Sequence, residues 1–300
     1  MPENSRLEYV SLACGDYSLD VLPQIGGAVA GLRFRGLHVL RRTPPGTVEP
    51  LASSGFPLVP FANRIAHGRF RFGATDVRLD RNAPEQAHPL HGQAWRHPWS
   101  VESRSSREIV LTYEHARGQW PWAYAARQVL TLDADGLRVQ LELMNRADEP
   151  MPAGLGWHPY FHRTPRMRLR TKVAHVWLTD QACLPTRLAP GNPFGDWHSA
   201  EPLPEERLID HCYGGWSGRA ELDWPEEALC VRLSAGGPLR WLHVFVPPGG
   251  DFLCLEPVSH MPDALNRPEP PEITGLRVLA PGETLAATVR LSVVPGPLGA

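Results

Sequence analysis

The sequence predicts a mainly β protein, built as an antiparallel sandwich or barrel, and three observations support this fold class. The 300 residues include 32 prolines and 27 glycines, and each proline inside an α-helix destabilises that helix by about 3 kcal/mol. No segment of twelve or more residues keeps a helical period without a proline or glycine inside it. Instead, short runs of alternating apolar and polar residues, separated by turn residues, recur from Tyr9 onward.

The clearest predicted element is a β-hairpin near the middle of the chain. Its two alternating runs, 129–131 and 137–143, flank Asp135 and Gly136, a dipeptide that suits a tight hairpin turn. The other predicted strands show the same alternation and lie, in chain order, at 69–79, 108–113, 168–177, 229–233, 239–246 and 276–291. Lys172 lies in one of these runs, so we expect it to be exposed on a strand face.

A single domain covering residues 1–300 is predicted. No change of composition separates two halves, and no repeat recurs at a fixed period. The most linker-like stretch, 184–204, is rich in proline but also contains Phe194 and Trp197. Because large aromatic side chains are usually buried, we interpret this stretch as a packed surface excursion and not as a joint between domains.

Charge and cysteine content exclude several classes of function. With 30 basic and 32 acidic residues the formal net charge is −2, which predicts no nucleic-acid partner and no attraction to an anionic membrane. The five cysteines are scattered without a C-x-x-C pair, so neither a disulfide framework nor a thiolate zinc site is expected. No signal-like apolar core lies in the first twenty residues and no apolar run reaches 18 residues, so we expect a cytoplasmic protein.

Chemistry is expected where charged and imidazole side chains crowd among aromatic residues and prolines, and four segments have this character: 56–65, 88–95, 154–161 and 255–263. Arg64 follows an apolar run stiffened by proline, where it could bind hydroxyls or close an internal ion pair. His91 and His158 each lie beside glycine or proline and large aromatics, typical of a pocket mouth or of a packed core. Glu256 ends an apolar run, where burial would raise its pKa toward the range of a general base, unless it is a scaffold ion pair.

Motifs for several other chemistries are absent from the sequence. No G-x-S-x-G elbow, phosphate-binding P-loop or dinucleotide fingerprint occurs. His88 and His91 lack the spacing and the glutamate of H-E-x-x-H, so no metal site is predicted. What remains is general acid/base chemistry by histidine and glutamate on a polar ligand, without a cofactor.

Together, the four segments resemble the aldose 1-epimerase (galactose mutarotase) family. The matching elements are the Pro-x-x-Pro-x-x-Asn-Arg run ending at Arg64, Leu-His-Gly at 90–92, His-Pro-Tyr-Phe at 158–161 and Glu-Pro-Val-Ser-His-Met-Pro-Asp-Ala-Leu-Asn at 256–266. They occur in the family's order and span 57–266. The resemblance implies a large twisted antiparallel β sandwich, sometimes called a supersandwich, a small sugar as the partner and no cofactor.

The resemblance also implies roles for individual residues. Glu256 would be the general base that removes the proton from the anomeric hydroxyl, and His158 the general acid that protonates the ring oxygen. His91 would be the second histidine near the anomeric centre. The residues expected to bind sugar hydroxyls are Arg64, its neighbour Asn63, and Asp210, the best match to an aspartate of the family. Trp95, Trp157 or Phe161 could form an apolar wall for the sugar, or belong to the core.

The sequence leaves alternatives open. The expected substrate is a free hexose, whereas a hexose 6-phosphate would need clustered cations. The arginine pairs at 69/71, 163/166 and 168/170 are expected to lie on strand faces in solvent. A non-catalytic sugar-binding protein on the same scaffold is a second alternative, and a carbohydrate hydrolase or lyase, which would need a long cleft and for hydrolysis a second carboxylate, is a third. The oligomeric state is not indicated.

Overall fold

The structure, a computed structural model, describes residues 8–296 and confirms the predicted mainly antiparallel β fold. In chain order its strands are β1 (Val10–Cys14), β2 (Tyr17–Leu22), β3 (Ala28–Phe34), β4 (Leu37–His38), β5 (Gly55–Leu58), β6 (Arg69–Phe72), β7 (Thr75–Arg78), β8 (Ser100–Arg104), β9 (Glu108–His115), β10 (Tyr124–Asp133), β11 (Gly136–Asn145), β12 (Met151–Ala153), β13 (Gly156–His162), β14 (Arg168–Thr171), β15 (His175–Thr179), β16 (Pro185–Pro190), β17 (Ile209–Gly214), β18 (Arg219–Trp224), β19 (Leu229–Gly236), β20 (Trp241–Val246), β21 (Phe252–Val258), β22 (Arg277–Leu279) and β23 (Thr284–Pro295). The helical elements of the described residues are short: α1 (Pro271–Thr274) and four 3-10 turns at Pro50–Ala52, Ala66–Gly68, Ala94–Arg96 and Ala264–Asn266.

Two large antiparallel sheets dominate the fold. The first has 11 strands in the order β1-β2-β3-β5-β13-β21-β20-β17-β15-β16, with β4 paired to β3. The second has eight strands in the order β14-β18-β19-β23-β11-β10-β9-β8. Two small ladders, β12 with β22 and β6 with β7, complete the pairing.

The predicted central hairpin is present as β10 and β11, but its turn is shifted by one residue from the expected position. Asp133 pairs with Gly136, so the turn residues are Ala134 and Asp135. The Asp133 carboxylate accepts a hydrogen bond of 2.9 Å from the Asp135 amide, which fixes this turn locally. Gly136 instead opens β11 at a φ of 134°, where a Cβ would lie 2.0 Å from the Leu291 carbonyl oxygen. The glycine is therefore required by the close approach of β23.

Three other predicted strands are each divided in the structure, and the first of them, 69–79, forms the hairpin of β6 and β7. The run 276–291 forms β22 and β23 in different sheets, because Pro281 and Gly282 turn the chain between them. The run 168–177 forms β14 and β15, and Lys172 is exposed as predicted but lies in their connection. The stretch 184–204 contributes β16 and then packs onto the body of the protein, with Trp197 buried and Phe194 half-buried against the core. The interpretation of that stretch as a packed excursion is confirmed.

The main hydrophobic core lies between the two large sheets. It draws Trp157, Phe161 and Leu253 from the 11-stranded sheet and Leu130 and Leu291 from the eight-stranded sheet. A second cluster covers the opposite, outer face of the 11-stranded sheet, and its members include Phe56, Leu90, Trp95, Tyr160, Cys212, Cys254 and Met261. Both faces of this sheet are thus buried, one by the partner sheet and the other by loops. The single-domain assignment stays a prediction.

The lengths and hydropathy of the helices test the expectation that the protein has no membrane segment. Among the described residues, no helix combines the length and the apolar character needed to cross a bilayer. The cytoplasmic location stays a prediction.

Candidate active site

The six residues expected at the site line one cavity of about 390 Å³ on the outer face of the 11-stranded sheet. Three come from strands that lie close together in that sheet: His158 on β13, Glu256 on β21 and Asp210 on β17. Asn63, Arg64 and His91 come from loops that cover the face. The structure therefore brings all six together, while their function stays a prediction.

The two-residue period of a strand explains how His158 reaches this cavity. On β13, Trp157 and Phe161 point into the main core, so His158 and Tyr160 point to the outer face. The register pairs Gly156 with Val258 and Tyr160 with Cys254, which puts His158 opposite Glu256. His158 Nε2 accordingly lies 3.3 Å from Glu256 Oε1, with both side chains buried.

The loops that carry Asn63 and His91 are tied to each other. The Asn63 amide donates to His91 Nδ1 at 3.0 Å, and the His91 amide donates to the Asn63 carbonyl at 2.9 Å. Both residues have a φ near 60°, a left-handed conformation that is costly for residues other than glycine and persists where surrounding contacts enforce it. Because Nδ1 accepts a hydrogen bond, neutral His91 carries its proton on Nε2. Burial, then the charges of His158 and Arg64, hold the pKa of His91 well below its ordinary value.

Arg64 and Asp210 belong to one buried polar network. The Arg64 guanidinium donates to Gln86 Oε1 at 3.1 Å, to Asn63 Oδ1 at 3.3 Å and to Asp210 Oδ2 at 3.4 Å. Asp210 Oδ1 lies 2.7 Å from His243 Nε2. Burial would raise the pKa of Asp210, but the hydrogen bond and charge of His243 and the charge of Arg64 lower it below its ordinary value. Asp210 is therefore a fixed carboxylate, suited to accept hydrogen bonds and not to exchange protons near neutral pH.

His243 is a cavity residue that the sequence reasoning missed. It lies in β20, within a run interpreted as an ordinary apolar strand, and the register places it directly opposite Glu256. Burial lowers the pKa of His243, but Glu256 and the hydrogen bond to Asp210 raise it overall. The signal that could have found it is the alternation along β20. Leu242 and Val244 both point into the core, so His243 between them points to the outer face.

Burial is the main cause of a pKa shift in both Glu256 and His158, and it favours the neutral form of each. Burial raises the pKa of Glu256 to about 7, although the charge of His243 opposes this. Burial, then the charges of His243 and Arg41, hold the pKa of His158 well below its ordinary value. Glu256 Oε2 and His158 Nδ1 are buried without a hydrogen-bond partner among the described residues. Glu256 therefore binds a proton more tightly than His158 in the empty cavity, and each of the two groups keeps one polar atom without a partner among the described residues.

Aromatic rings hold His158 in place. Its imidazole stacks between Phe56, at 4.8 Å and 27°, and Tyr160, at 4.6 Å and 20°, so only its edge is free to react. Trp157 and Phe161, two of the three aromatics considered for a sugar wall, belong to the core. The third, Trp95, stacks behind Phe56. The cavity is instead lined by Tyr160, Phe245 and Leu51.

The residues that follow Glu256 in its motif support the loop that carries Asn63 and Arg64. His260 Nε2 accepts from the Ala62 amide at 3.1 Å, and Asp263 Oδ1 accepts from the Ala66 amide at 2.8 Å. The Asp263 amide also donates to the Arg64 carbonyl at 2.8 Å. The motif therefore supplies one cavity carboxyl group and, a few residues later, a set of contacts that hold the opposing loop.

One group of side chains at the site offers possible metal ligands. Ligand atoms of His158, Cys254 and Glu256 lie within 4.8 Å of one another. Burial, then the charge of Glu256, raise the pKa of the Cys254 thiol well above its ordinary value, and this opposes the thiolate form that binds metals. The absence of a metal and of a cofactor stays a prediction.

The two-sheet architecture and the polar cavity on the outer face of one sheet define a mutarotase-like β sandwich. The sequence model of the aldose 1-epimerase family matches residues 9–292. The chain therefore belongs to the aldose 1-epimerase family, as its motifs predicted.

Similar proteins span nearly the whole chain. The uncharacterized protein YphB of Escherichia coli K12 is 34% identical over 293 residues, covering 94% of this chain and 98% of YphB. The crystal structure of a putative aldose 1-epimerase from the same organism has a TM-score of 0.87 at 34% identity, covering 96% and 99% of the two chains. A galactose 1-epimerase from Lactobacillus acidophilus shares the fold, with a TM-score of 0.73 at 17% identity and coverage of 99% and 97%.

Proposed function

We propose that the protein is an aldose 1-epimerase that interconverts the α and β anomers of a free hexose. The observation that carries the proposal is the contact of 3.3 Å between Glu256 and His158 inside the cavity. Burial raises the pKa of Glu256 to about 7 and holds that of His158 well below its ordinary value, so in the empty cavity the carboxyl group binds a proton more tightly than the imidazole does, and the contact lets the proton pass between them. Anomer exchange requires this property, because it moves one proton onto the sugar and one off it without net transfer.

Glu256 and His158 together account for both proton transfers of the reaction. In the ring-opening step the Glu256 carboxylate takes the proton of the anomeric hydroxyl, and the His158 imidazolium gives its proton to the ring oxygen. The bond between C1 and the ring oxygen breaks while C1 and O1 form a carbonyl. After rotation about the C1–C2 bond, Glu256 returns a proton to O1, His158 recovers one from the attacking hydroxyl, and the ring closes on the other face. No electrons are transferred, so the reaction needs no cofactor.

The other cavity residues would orient the sugar. Arg64 and Asn63 offer donors, and the ionised Asp210 offers acceptors, to ring hydroxyls. His91, whose free nitrogen Nε2 carries a proton when the ring is neutral, would donate a hydrogen bond near the anomeric centre. Tyr160 and Phe245 supply aromatic surface for the C–H groups of the sugar.

The charge around the cavity favours a free sugar over a phosphorylated one. Among the described lining residues, Arg64 is the one arginine, and it already contacts Asp210, Gln86 and Asn63. The exposed Glu85 also lines the cavity and would repel a phosphate. The arginine pairs considered from the sequence lie elsewhere, on β6, on β14 and in the segment 163–166.

A saturation-transfer NMR panel tests the proposal. The exchange rate between α and β anomers is measured for glucose, galactose and other free aldoses, and for their 6-phosphates, with and without the protein. We expect acceleration with one or more free hexoses. Glu256→Gln should lower that catalysed rate by about 10²- to 10⁴-fold, the usual contribution of a positioned acid or base.

The matched control is Cys254→Ala, which changes a buried residue on the same face of the same strand, two positions from Glu256, and should retain most of the activity. Lack of acceleration across the whole panel would contradict the proposal. Tight sugar binding without exchange would identify a non-catalytic binding protein, and faster exchange of 6-phosphates would identify the phosphate alternative. Release of sugars from an oligosaccharide would identify a hydrolase or lyase.

A further inference from the structure

Arg41 stands at one end of a continuous stack of side chains that runs through the site. Its guanidinium carbon lies 3.5 Å from the centroid of the Tyr160 ring. Tyr160 stacks on His158, His158 on Phe56, and Phe56 on Trp95 at 5.3 Å and 21°. The order of the stack is therefore one cation, one phenol, the imidazole and two further aromatic rings.

The backbone holds the Arg41 side chain in this position. Its Nε donates to the Ser53 carbonyl at 2.8 Å, and Nη2 donates to the Leu51 carbonyl. The Arg41 amide donates to the Tyr160 carbonyl at 2.8 Å, which ties the residue to β13. A second ring, Phe252, lies 4.6 Å from the guanidinium carbon.

Arg41 keeps its charge without a close carboxylate. In the part of the chain that the structure describes, its guanidinium makes no ion pair, and its hydrogen bonds go to carbonyl oxygens. It also does not line the cavity, which Tyr160 separates from it. The guanidinium therefore acts on the site through the ring beside it and through its field.

We propose that Arg41 is a positioning residue that holds Tyr160 against His158 and, by its positive charge, makes the His158 imidazolium a stronger acid. The two stacking distances, 3.5 and 4.6 Å, limit the separation of the guanidinium carbon from the imidazole centroid to about 8 Å. At an effective dielectric constant of about 20, two positive charges at this separation shift a pKa by about one and a half units. The chemical use of the stronger acid, to protonate the ring oxygen, depends on the proposed function.

Other groups also act on His158 and must be kept unchanged. Glu256 and Cys254 face it from β21, His243 from β20, Asp210 from β17, His91 and Arg64 from the covering loops, and Tyr160 from its own strand. All of these except Cys254 line the cavity. Because Arg41 does not, its replacement changes the charge near His158 while these groups stay in place.

A pair of variants separates charge from stacking. Arg41→Met removes the charge and keeps a long side chain over Tyr160, whereas Arg41→Lys keeps the charge and removes the planar group. The protonation of His158 is followed in each by ¹⁵N NMR of the histidine side chains, with His158→Gln used to assign the signal. We expect Arg41→Met to raise the pKa of His158 by about one and a half units, and Arg41→Lys to change it by less than about a third of that.

The activity profile gives a second readout in the same variants. The high-pH limb of kcat, where the shared proton of His158 and Glu256 is lost, should move upward in Arg41→Met and stay in place in Arg41→Lys. If Arg41→Met proves unfolded, Arg41→Gln is used, since its amide can donate to the same carbonyls. An unchanged His158 titration in the neutral variants, or an equal shift in Arg41→Lys, would overturn the proposal.

The titration needs no substrate, so the two proposals fail in different ways. Wild-type protein without any anomer exchange contradicts the proposed function, yet the NMR titration still decides whether Arg41 acts on His158. Anomer exchange with an unmoved titration contradicts the role of Arg41 alone.

Discussion

The two faces of the 11-stranded sheet are both buried, but their surroundings differ. On β13 the inner-face residues Trp157 and Phe161 are fully buried in the apolar core, while the outer-face residues His158 and Tyr160 are buried around a cavity. Alternation along this strand therefore separates two buried environments and not core from solvent. The inner face is optimised for packing, and the outer face for holding polar groups away from water.

Each face leaves polar atoms without a hydrogen-bond partner, and the faces differ in the kind of group that carries them. On the inner face, Trp157 Nε1 has no hydrogen-bond partner among the described residues, but its indole is a neutral donor that does not titrate. The outer face leaves Glu256 Oε2 and His158 Nδ1 without partners among the described residues, which lowers stability. Residues that lower stability are expected where a protein binds a ligand. We therefore expect substitutions on the inner face to change mainly the free energy of unfolding, and substitutions on the outer face to change activity or the pH dependence of stability.

Phe161→Ala is the strongest test of the inner face. Truncating a fully buried phenylalanine removes apolar contacts and leaves a cavity, so we expect the free energy of unfolding to fall by about 3–5 kcal/mol. It is measured by urea denaturation, and kcat and KM are measured on the folded protein under native conditions. Phe161→Leu is the control and should lose much less. A changed KM in folded Phe161→Ala would show that the two faces are not independent.

Glu256→Gln tests the outer face through the pH dependence of stability. In the folded state the pKa of Glu256 is raised to about 7 from its ordinary 4.5, so between these values the folded protein binds a proton that the unfolded chain has released. The contribution of Glu256 to stability is therefore lost as the pH rises from about 4.5 to about 7, by about 3 kcal/mol in all.

The measurement compares urea denaturation of the wild type and of Glu256→Gln at pH 5 and pH 8. We expect the variant to gain stability relative to the wild type at pH 8, while its anomer exchange is lost. An equal difference between the two proteins at both pH values would mean that the pKa of Glu256 is not raised.

Asp263→Ala tests whether the outer face depends on the loop behind it. Asp263 accepts hydrogen bonds from the Ala66 amide and from Asn266, and an unsatisfied buried donor is expected to reduce stability by about 1–3 kcal/mol. Because the loop also carries Asn63 and Arg64, we expect KM to rise about tenfold, equivalent to about 1.4 kcal/mol, with a smaller change in kcat. Asp263→Asn keeps an acceptor oxygen and should restore most of KM. A fall in kcat alone would assign Asp263 to the chemical step.

Sequence patterns predicted the β architecture and the identity of the cavity residues better than they predicted how those residues work together. Arg64, His91, His158 and Glu256 were noticed because they interrupt apolar, proline-marked segments. His243 was not, because a single histidine in β20 looks like any strand residue until the register sets it opposite Glu256. The hairpin turn was misplaced by one residue because the need for Gly136 arises from β23, more than 150 positions away. A local sequence pattern carries no information about contacts between segments that are distant in the chain.

The sequence predicted that the three arginine pairs lie on strand faces in solvent, and this is wrong for Arg163, which follows β13 and is half-buried, with hydrogen bonds to the Leu203 and Pro204 carbonyls. The pair on β14 does lie on a strand face, and it gives the smallest expected effect. Arg168 and Arg170 share one face of β14, at the edge of the eight-stranded sheet, while Leu169 and Thr171 are buried. Arg170 lies 3.8 Å from Glu221 across the strand pair, and ion pairs open to solvent, as this half-buried one is, contribute about 0–1 kcal/mol. We expect Arg168→Ala and Arg170→Ala each to change the free energy of unfolding by less than about 0.5 kcal/mol.

These two variants should also leave KM unchanged for free hexoses and hexose 6-phosphates alike, as measured by anomer exchange. Both arginines lie on the sheet that does not carry the cavity, so a phosphate held in the cavity would not reach them. A KM that rises for the 6-phosphate alone would place a phosphate group on β14, and the division between a functional outer face and a structural remainder would then have to include the second sheet.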